Sequence, residues 1–204
     1  AYSDLSTQLK AYFQNPAQTP FTYQFTVIPN TTTIINYSNG TKRYITGTTV
    51  SSSDVVLKST VTTVIIGTGF TTINNGCFYA CTSLTQITIS TTITTINYQA
   101  FRQCSALTSI TIPNNVTYLG GQSFYGCSLL STITLSTGIT RIYDYTFTNC
   151  TSLSGITIPS TITVMDNYIF QGCTSLSTIS IPSSVTTMGS YFFYGCTSLA
   201  SISF

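Results

Sequence analysis

Charge is nearly missing from this chain. Its 204 residues include six Lys and Arg, four acidic residues and no His, so charged side chains make up 5%, against roughly 25% in an average globular protein. The acids are all Asp; Glu and Trp are absent. Without His and Glu, Ser-His, Cys-His and zinc-type sites cannot be assembled. The net charge of +2 is too weak to draw nucleic acid, and Lys42-Arg43 is the only adjacent basic pair. No apolar run approaches the ~20 residues of a membrane helix, so no membrane insertion is expected. No glycine-rich phosphate loop precedes a helix. Asp144 and Asp166 are candidates for a carboxylate pair, but Arg141 lies close in sequence and an exposed ion pair is the simpler reading. These absences predict a non-enzyme, with no catalytic residue, no cofactor and no metal.

Solubility therefore rests on hydroxyls and amides. A surface of Ser, Thr, Asn and Gln repels its own copies little, so it associates readily or takes glycans. The chain opens on Ala1 with no initiator Met and no signal peptide, as a processed secreted protein or a trimmed chain would.

What the sequence does have is a repeat. Cys81, Cys104, Cys127, Cys150, Cys173 and Cys196 stand 23 residues apart. Six further columns keep that period, among them Phe78 to Phe193, Leu84 to Leu199, Ile87 to Ile202 and Ile89 to Phe204. Within one unit, FRQCSALTSITIPNNVTYLGGQS (101–123), residues 109–112 alternate strictly. Ile110 and Ile112 then face a core while Ser109 and Thr111 face out, which predicts a short strand. Pro113 stops it, as Pro159 and Pro182 do in later units. The rest of each unit is too short and too β-branched for a regular helix. Each unit is thus one coil, and coils stack ~4.8 Å apart as parallel strands.

The pattern LxxIxIPxxVxxIgxxxFxgCxsL over about residues 61–204 resembles the BspA-like, or Treponema pallidum-type, leucine-rich repeats. That resemblance implies a solenoid with a parallel sheet on one face and irregular or short-strand turns on the other. It also implies a secreted or surface protein, an adhesin or scaffold, with no catalysis in the repeat. Residues 55–77 read as a decayed first coil in which Lys58 replaces the Cys.

Residues 1–60 do not repeat and are assigned to a cap or docking region, with the solenoid at 61–204. A helix is expected at about 4–14, capped by Ser3 and ended by Asn15-Pro16. Its apolar face is Leu5, Leu9, Tyr12 and Phe13. TIINYSNGTKRYITG reads as a β-hairpin closed by Asn39-Gly40, with positive φ expected at both.

The Cys column is read as buried thiols filling the core, since in-register side chains on stacked coils point the same way and suit a disulfide poorly. Cys77 stands outside that column, and a local bridge to Cys81 is an alternative. Thr88, Thr111, Thr134, Thr157 and Ser180 form an outward strand-face column, beside Gln86, Ser109, Thr132, Gly155 and Thr178. Stacked Thr-x-Thr rows resemble ice-binding faces, though Gln86 and Gly155 interrupt the array; high β propensity explains them equally. Of five sequons, Asn30, Asn36 and Asn115 are the candidates for glycosylation. Asn39 belongs to the hairpin turn, and Asn149 replaces Gly126, Gly172 and Gly195, so it should supply a positive-φ turn.

The chain stops on Leu199, Ile202 and Phe204, an apolar coil face that is continued in a longer solenoid, covered by another copy, or tolerated bare. The sequence reading favours an extracellular or cell-surface structural protein that stacks head-to-tail into a filament or layer. In that reading Leu199, Ile202 and Phe204 bury against Leu5, Leu9, Tyr12 and Phe13 or the hairpin of the next copy. The alternatives are an adhesin whose strand face binds a glycan or a surface protein, and an ice-binding protein.

Overall fold

In a computed structural model, residues 31–204 are described. The expected helix at 4–14, with Leu5, Leu9, Tyr12 and Phe13, and the sequon Asn30 lie outside the described residues. In chain order the strands are β1 (Thr33–Tyr37), β2 (Lys42–Ile45), β3 (Thr49–Val50), β4 (Val61–Ile65), β5 (Thr72–Ile73), β6 (Gln86–Thr88), β7 (Thr95–Ile96), β8 (Ser109–Thr111) and β9 (Tyr118–Leu119). They continue with β10 (Thr132–Thr134), β11 (Arg141–Ile142), β12 (Val164–Met165), β13 (Thr178–Ser180), β14 (Thr187–Met188) and β15 (Ser201–Ser203). The only helical element among the described residues is one 3-10 turn at Lys58–Thr60.

The result is a β-solenoid of 23-residue coils with two parallel ladders. One runs through β4, β6, β8, β10, β13 and β15, the other through β3, β5, β7, β9, β11, β12 and β14. Each pairing shifts the sequence by one repeat: Thr63 faces Gln86, Ser109 faces Thr132, Thr95 faces Tyr118, Thr178 faces Ser201. The repeat register reaches back to β3, where Thr49 pairs with Thr72. The ladders are not continuous. They are interrupted between β6 and β8, between β10 and the coil of Gly155, and between β9 and β11. Pro159 therefore ends no strand; the coil of Gly155 keeps only one isolated parallel bridge, Thr157 to Ser180.

Two corners per coil run left-handed. One column is Ala80, Gln103, Gly126, Asn149, Gly172 and Gly195; the other is Gly76, Gln99, Gln122, Tyr145, Tyr168 and Tyr191. Asn149, with φ 60°, takes the conformation that its glycine neighbours adopt without a Cβ penalty.

The core lies between the ladders. Phe78, Phe101, Phe124, Phe147, Phe170 and Phe193 form one column of near-parallel rings, with centroids 5.4–5.9 Å apart. All but Phe193 are fully buried. Each Phe N–H from Phe78 to Phe170 donates to the next coil, as from Phe101 to the Ser123 carbonyl at 2.9 Å.

At the N-terminal side the hairpin β1–β2 lies antiparallel on β4, with Ile35 opposite Val64. Its loop differs from expectation. Tyr37 N–H donates to the Thr41 carbonyl and Gly40 N–H to the Tyr37 carbonyl, so the loop is Ser38-Asn39-Gly40, three residues long. Only Gly40 has positive φ, 82°. Asn39 instead accepts hydrogen bonds from the Thr41 N–H and hydroxyl through Oδ1, an Asx turn that removes the need for a left-handed Asn. The outer strand, β2, carries Lys42 and Arg43, residues that blunt an edge against further pairing.

Candidate functional site

The outward side chains of β6, β8 and β10 alternate with buried Ile87, Ile110 and Ile133. Gln86, Thr88, Ser109, Thr111, Thr132 and Thr134 line a groove of about 520 Å³. The groove straddles the interruption between β6 and β8. A second depression of about 360 Å³ is centred on Gly155 and flanked by Thr132 and Thr178. A Cβ added at Gly155 would meet nothing within 4 Å. Ile156 beside it is half-buried, whereas Ile87, Ile110, Ile133 and Ile179 of the same column are buried. The strand face thus carries two shallow depressions, with buried isoleucines at their floor and hydroxyls around them. Thr88, Thr111, Thr134, Thr157 and Ser180 are all exposed on it, as expected. The lining contains no charged residue.

The carboxylates do not form a pair. Arg141 holds Asp166 by two hydrogen bonds, from Nε at 2.9 Å and Nη2 at 2.8 Å. Asp144 Oδ1 accepts from the Asn167 backbone N–H and side-chain amide. Both acids are thus engaged structurally. No group of His, Cys, Asp and Glu able to hold a metal exists among the described residues, and no helix there is long and apolar enough to cross a membrane.

The cysteines are free. Cys81, Cys104, Cys127, Cys150 and Cys173 are buried; Cys196 is half-buried because no described coil lies over it. Cys77 and Cys81 are not bridged. Each thiol from Cys104 onward donates to the carbonyl of a Phe one coil earlier, at 3.0–3.2 Å. Burial pushes Cys81, Cys127 and Cys173 up to about 12, and Cys77, Cys104 and Cys150 also rise well above the ordinary value for the same reason. At pH 8 a thiol of that pKa is thiolate in roughly one molecule in ten thousand. In native protein, alkylation followed by mass spectrometry should show Cys196 labelled first and Cys127 protected. Cys127 labelling at the rate of Cys196 would contradict this burial. The first coil ends the column differently: Lys58 Nζ donates to the Gly76 carbonyl at 2.9 Å.

The sequons separate by geometry. Asn36 is half-buried in β1, and its amide donates to Thr63 Oγ1 at 2.7 Å. Asn115 is exposed, with its amide donating to the Thr91 carbonyl at 2.6 Å. At the far end of the solenoid Leu199 is half-buried, while Ile202 is 39% and Phe204 85% exposed.

Comparison with known proteins agrees with this architecture. The family model for the BspA type leucine rich repeat region matches residues 71–200 in six copies. The structure of a leucine rich repeat protein from T. pallidum is similar at 28% identity and a TM-score of 0.53, covering 69% of this chain and 63% of that one. A leucine-rich repeat protein from Bacteroides ovatus is similar at 23% identity and a TM-score of 0.54, covering 83% of this chain and 55% of that one. The chain thus spans less than two thirds of the length of either. No curated protein matches it.

Proposed function

This chain belongs to the BspA-type leucine-rich repeat family, and from that premise we propose that it is a non-enzymatic recognition scaffold displayed outside the cell, whose hollowed strand face receives a neutral glycan. The observation that carries the reading is the groove across β6, β8 and β10, with six outward hydroxyl and amide side chains and no charge. Such a lining offers hydrogen bonds without selecting for ionic partners. A pre-formed concave site with convergent polar groups is the usual form of a binding site. The low-charge surface and the free, inert thiols suit a protein that works without ionic partners or redox chemistry. Thr111→Lys and Thr134→Lys each place a cation and a longer side chain in the groove. Either change should lower retention on immobilised neutral glycans at least tenfold while the circular dichroism spectrum stays unchanged. Retention equal to wild type in both variants would count against the reading, and binding to a host protein alone would move the partner class.

A second reading rests on a separate observation. The last described coil, at β15, exposes Ile202 and Phe204 and carries no charge, whereas β2, the outermost described strand at the other end, carries Lys42 and Arg43. Burial of Ile202 and Phe204 by a second copy stacked end to end yields a filament when the rotation does not close. In that case Ile202→Asp combined with Phe204→Asp abolishes polymers seen by electron microscopy or light scattering. Polymers that survive the double change refute the end-to-end mechanism.

A further inference from the structure

We propose that Tyr145, Tyr168 and Tyr191 form an oxidative cross-linking site, at which a peroxidase using hydrogen peroxide joins neighbouring rings as dityrosine and staples one coil to the next. The three residues share one corner column, with φ of 57°, 58° and 57°. The backbone holds that corner by hydrogen bonds to the following coil, from Tyr145 N–H to the Asn167 carbonyl at 3.1 Å and from Tyr168 N–H to the Ser190 carbonyl at 3.0 Å. Identical backbone conformation on successive coils makes the rings parallel. Centroids are 4.8 Å apart for Tyr145–Tyr168 and 4.9 Å for Tyr168–Tyr191, with 3° between planes in both pairs. The buried Phe rings stack in the same manner but carry no phenol to oxidise. The tyrosines can be reached: Tyr145 and Tyr168 are half-buried and Tyr191 is 62% exposed.

The chemistry needs this arrangement. Each phenol gives up one electron and one proton to the oxidant. The two phenoxyl radicals then couple through ring carbons ortho to the oxygens, forming one C–C bond. The hydrogen on each coupled carbon moves to the phenolic oxygen as the rings become aromatic again. Overall, two tyrosines and one hydrogen peroxide give one dityrosine and two waters. Radicals that must diffuse together find each other slowly; here the partner ring is already in contact, so coupling within the chain outpaces coupling between chains. The other tyrosine pair in contact among the described residues, Tyr118 and Tyr143, is tilted by 56° at 5.3 Å. The buried thiols offer no competing covalent staple, since they are free and shielded.

The test treats dilute protein with peroxidase and hydrogen peroxide, then maps linked peptides by mass spectrometry. The expected result is Tyr145–Tyr168 and Tyr168–Tyr191 links within one chain, each two hydrogens lighter than its unlinked peptides, with a yield independent of protein concentration. Tyr168→Phe keeps the stacked ring but cannot couple, so both links disappear. Tyr194→Phe removes a phenol that is 66% exposed and outside the column, so both links persist. Links that form only between chains and grow with concentration would overturn the proposal, as would intrachain links that survive in Tyr168→Phe.

Discussion

Above about pH 9 the protein should lose stability steeply. The buried thiols of Cys81, Cys127 and Cys173 stay protonated in the folded chain up to about 12, against 9.0 for an ordinary thiol. Once unfolded they ionise near that ordinary value. Their contribution is therefore fully present below about pH 9 and is lost as pH rises towards 12, because the unfolded chain sheds protons that the folded chain keeps. Each pKa unit is worth ~1.4 kcal/mol per group. Three thiols shifted upward together then remove several kcal/mol as pH rises, a large part of a typical domain's stability of about 5–15 kcal/mol. Cys77, Cys104 and Cys150 act in the same direction. With no His, the side chain that ordinarily changes charge near neutrality is missing, so stability should change little there. Urea unfolding under reducing conditions at pH 7 and at pH 10.5 measures the difference. The Cys127→Ala variant should start less stable and show a slope shallower by ~1.4 kcal/mol per pH unit. Equal stability at the two pH values would mean that the thiols are not buried as described.

Phe124→Ala should destabilise the protein by about 3–5 kcal/mol. Phe124 is fully buried and stacks on Phe101 at 5.4 Å and on Phe147 at 5.8 Å. Removing it costs its own transfer from water, two ring contacts and the cavity left between coils. In a solenoid each coil touches only its neighbours, so stability is close to a sum of coil and interface contributions. Loss at a central interface therefore divides the stack, and unfolding should become multi-phased. Phe193→Ala, at a half-buried position, should cost less. Thermal unfolding followed by circular dichroism and calorimetry distinguishes the two variants. Similar losses in both would argue against an interface-by-interface account.

Much of this architecture can be read in the residues. The seven columns announce the coil, the strand alternation and the buried thiols. Gly126, Gly172 and Gly195 announce the left-handed corner that Asn149 shares. The second corner is hidden, because only Gly76 marks it and the other members are Gln99, Gln122, Tyr145, Tyr168 and Tyr191. A left-handed non-glycine residue costs roughly 1–2 kcal/mol. Here it persists because each coil binds the next through backbone bonds, such as Gln99 N–H to the Gly121 carbonyl at 3.1 Å. Propensity at a single position cannot reveal that compensation. The hairpin loop departs from the expected turn for a similar reason: the Asn39 side chain satisfies Thr41, so the turn closes with one left-handed residue instead of two. Alternation also told which hydroxyls face outward at Thr88, Thr111 and Thr134. It could not tell where the face is hollowed, because that depends on where the ladders break.

The reading of Asp144 and Asp166 turned on the same distinction between column and contact. Positions on adjacent coils place two acids near each other, yet each found a better partner. Asp166 takes the planar fork of Arg141, and Asp144 caps the next coil at Asn167. An exposed ion pair of this kind contributes little to stability.

The most direct test compares Thr134→Lys and the Ile202→Asp, Phe204→Asp pair side by side, each binding an array of neutral glycans at low and high salt. Recognition by an uncharged groove predicts loss of binding in Thr134→Lys, full binding in the rim variant, and wild-type retention that does not change with salt. Binding that survives Thr134→Lys, or wild-type retention that collapses as salt rises, would contradict it.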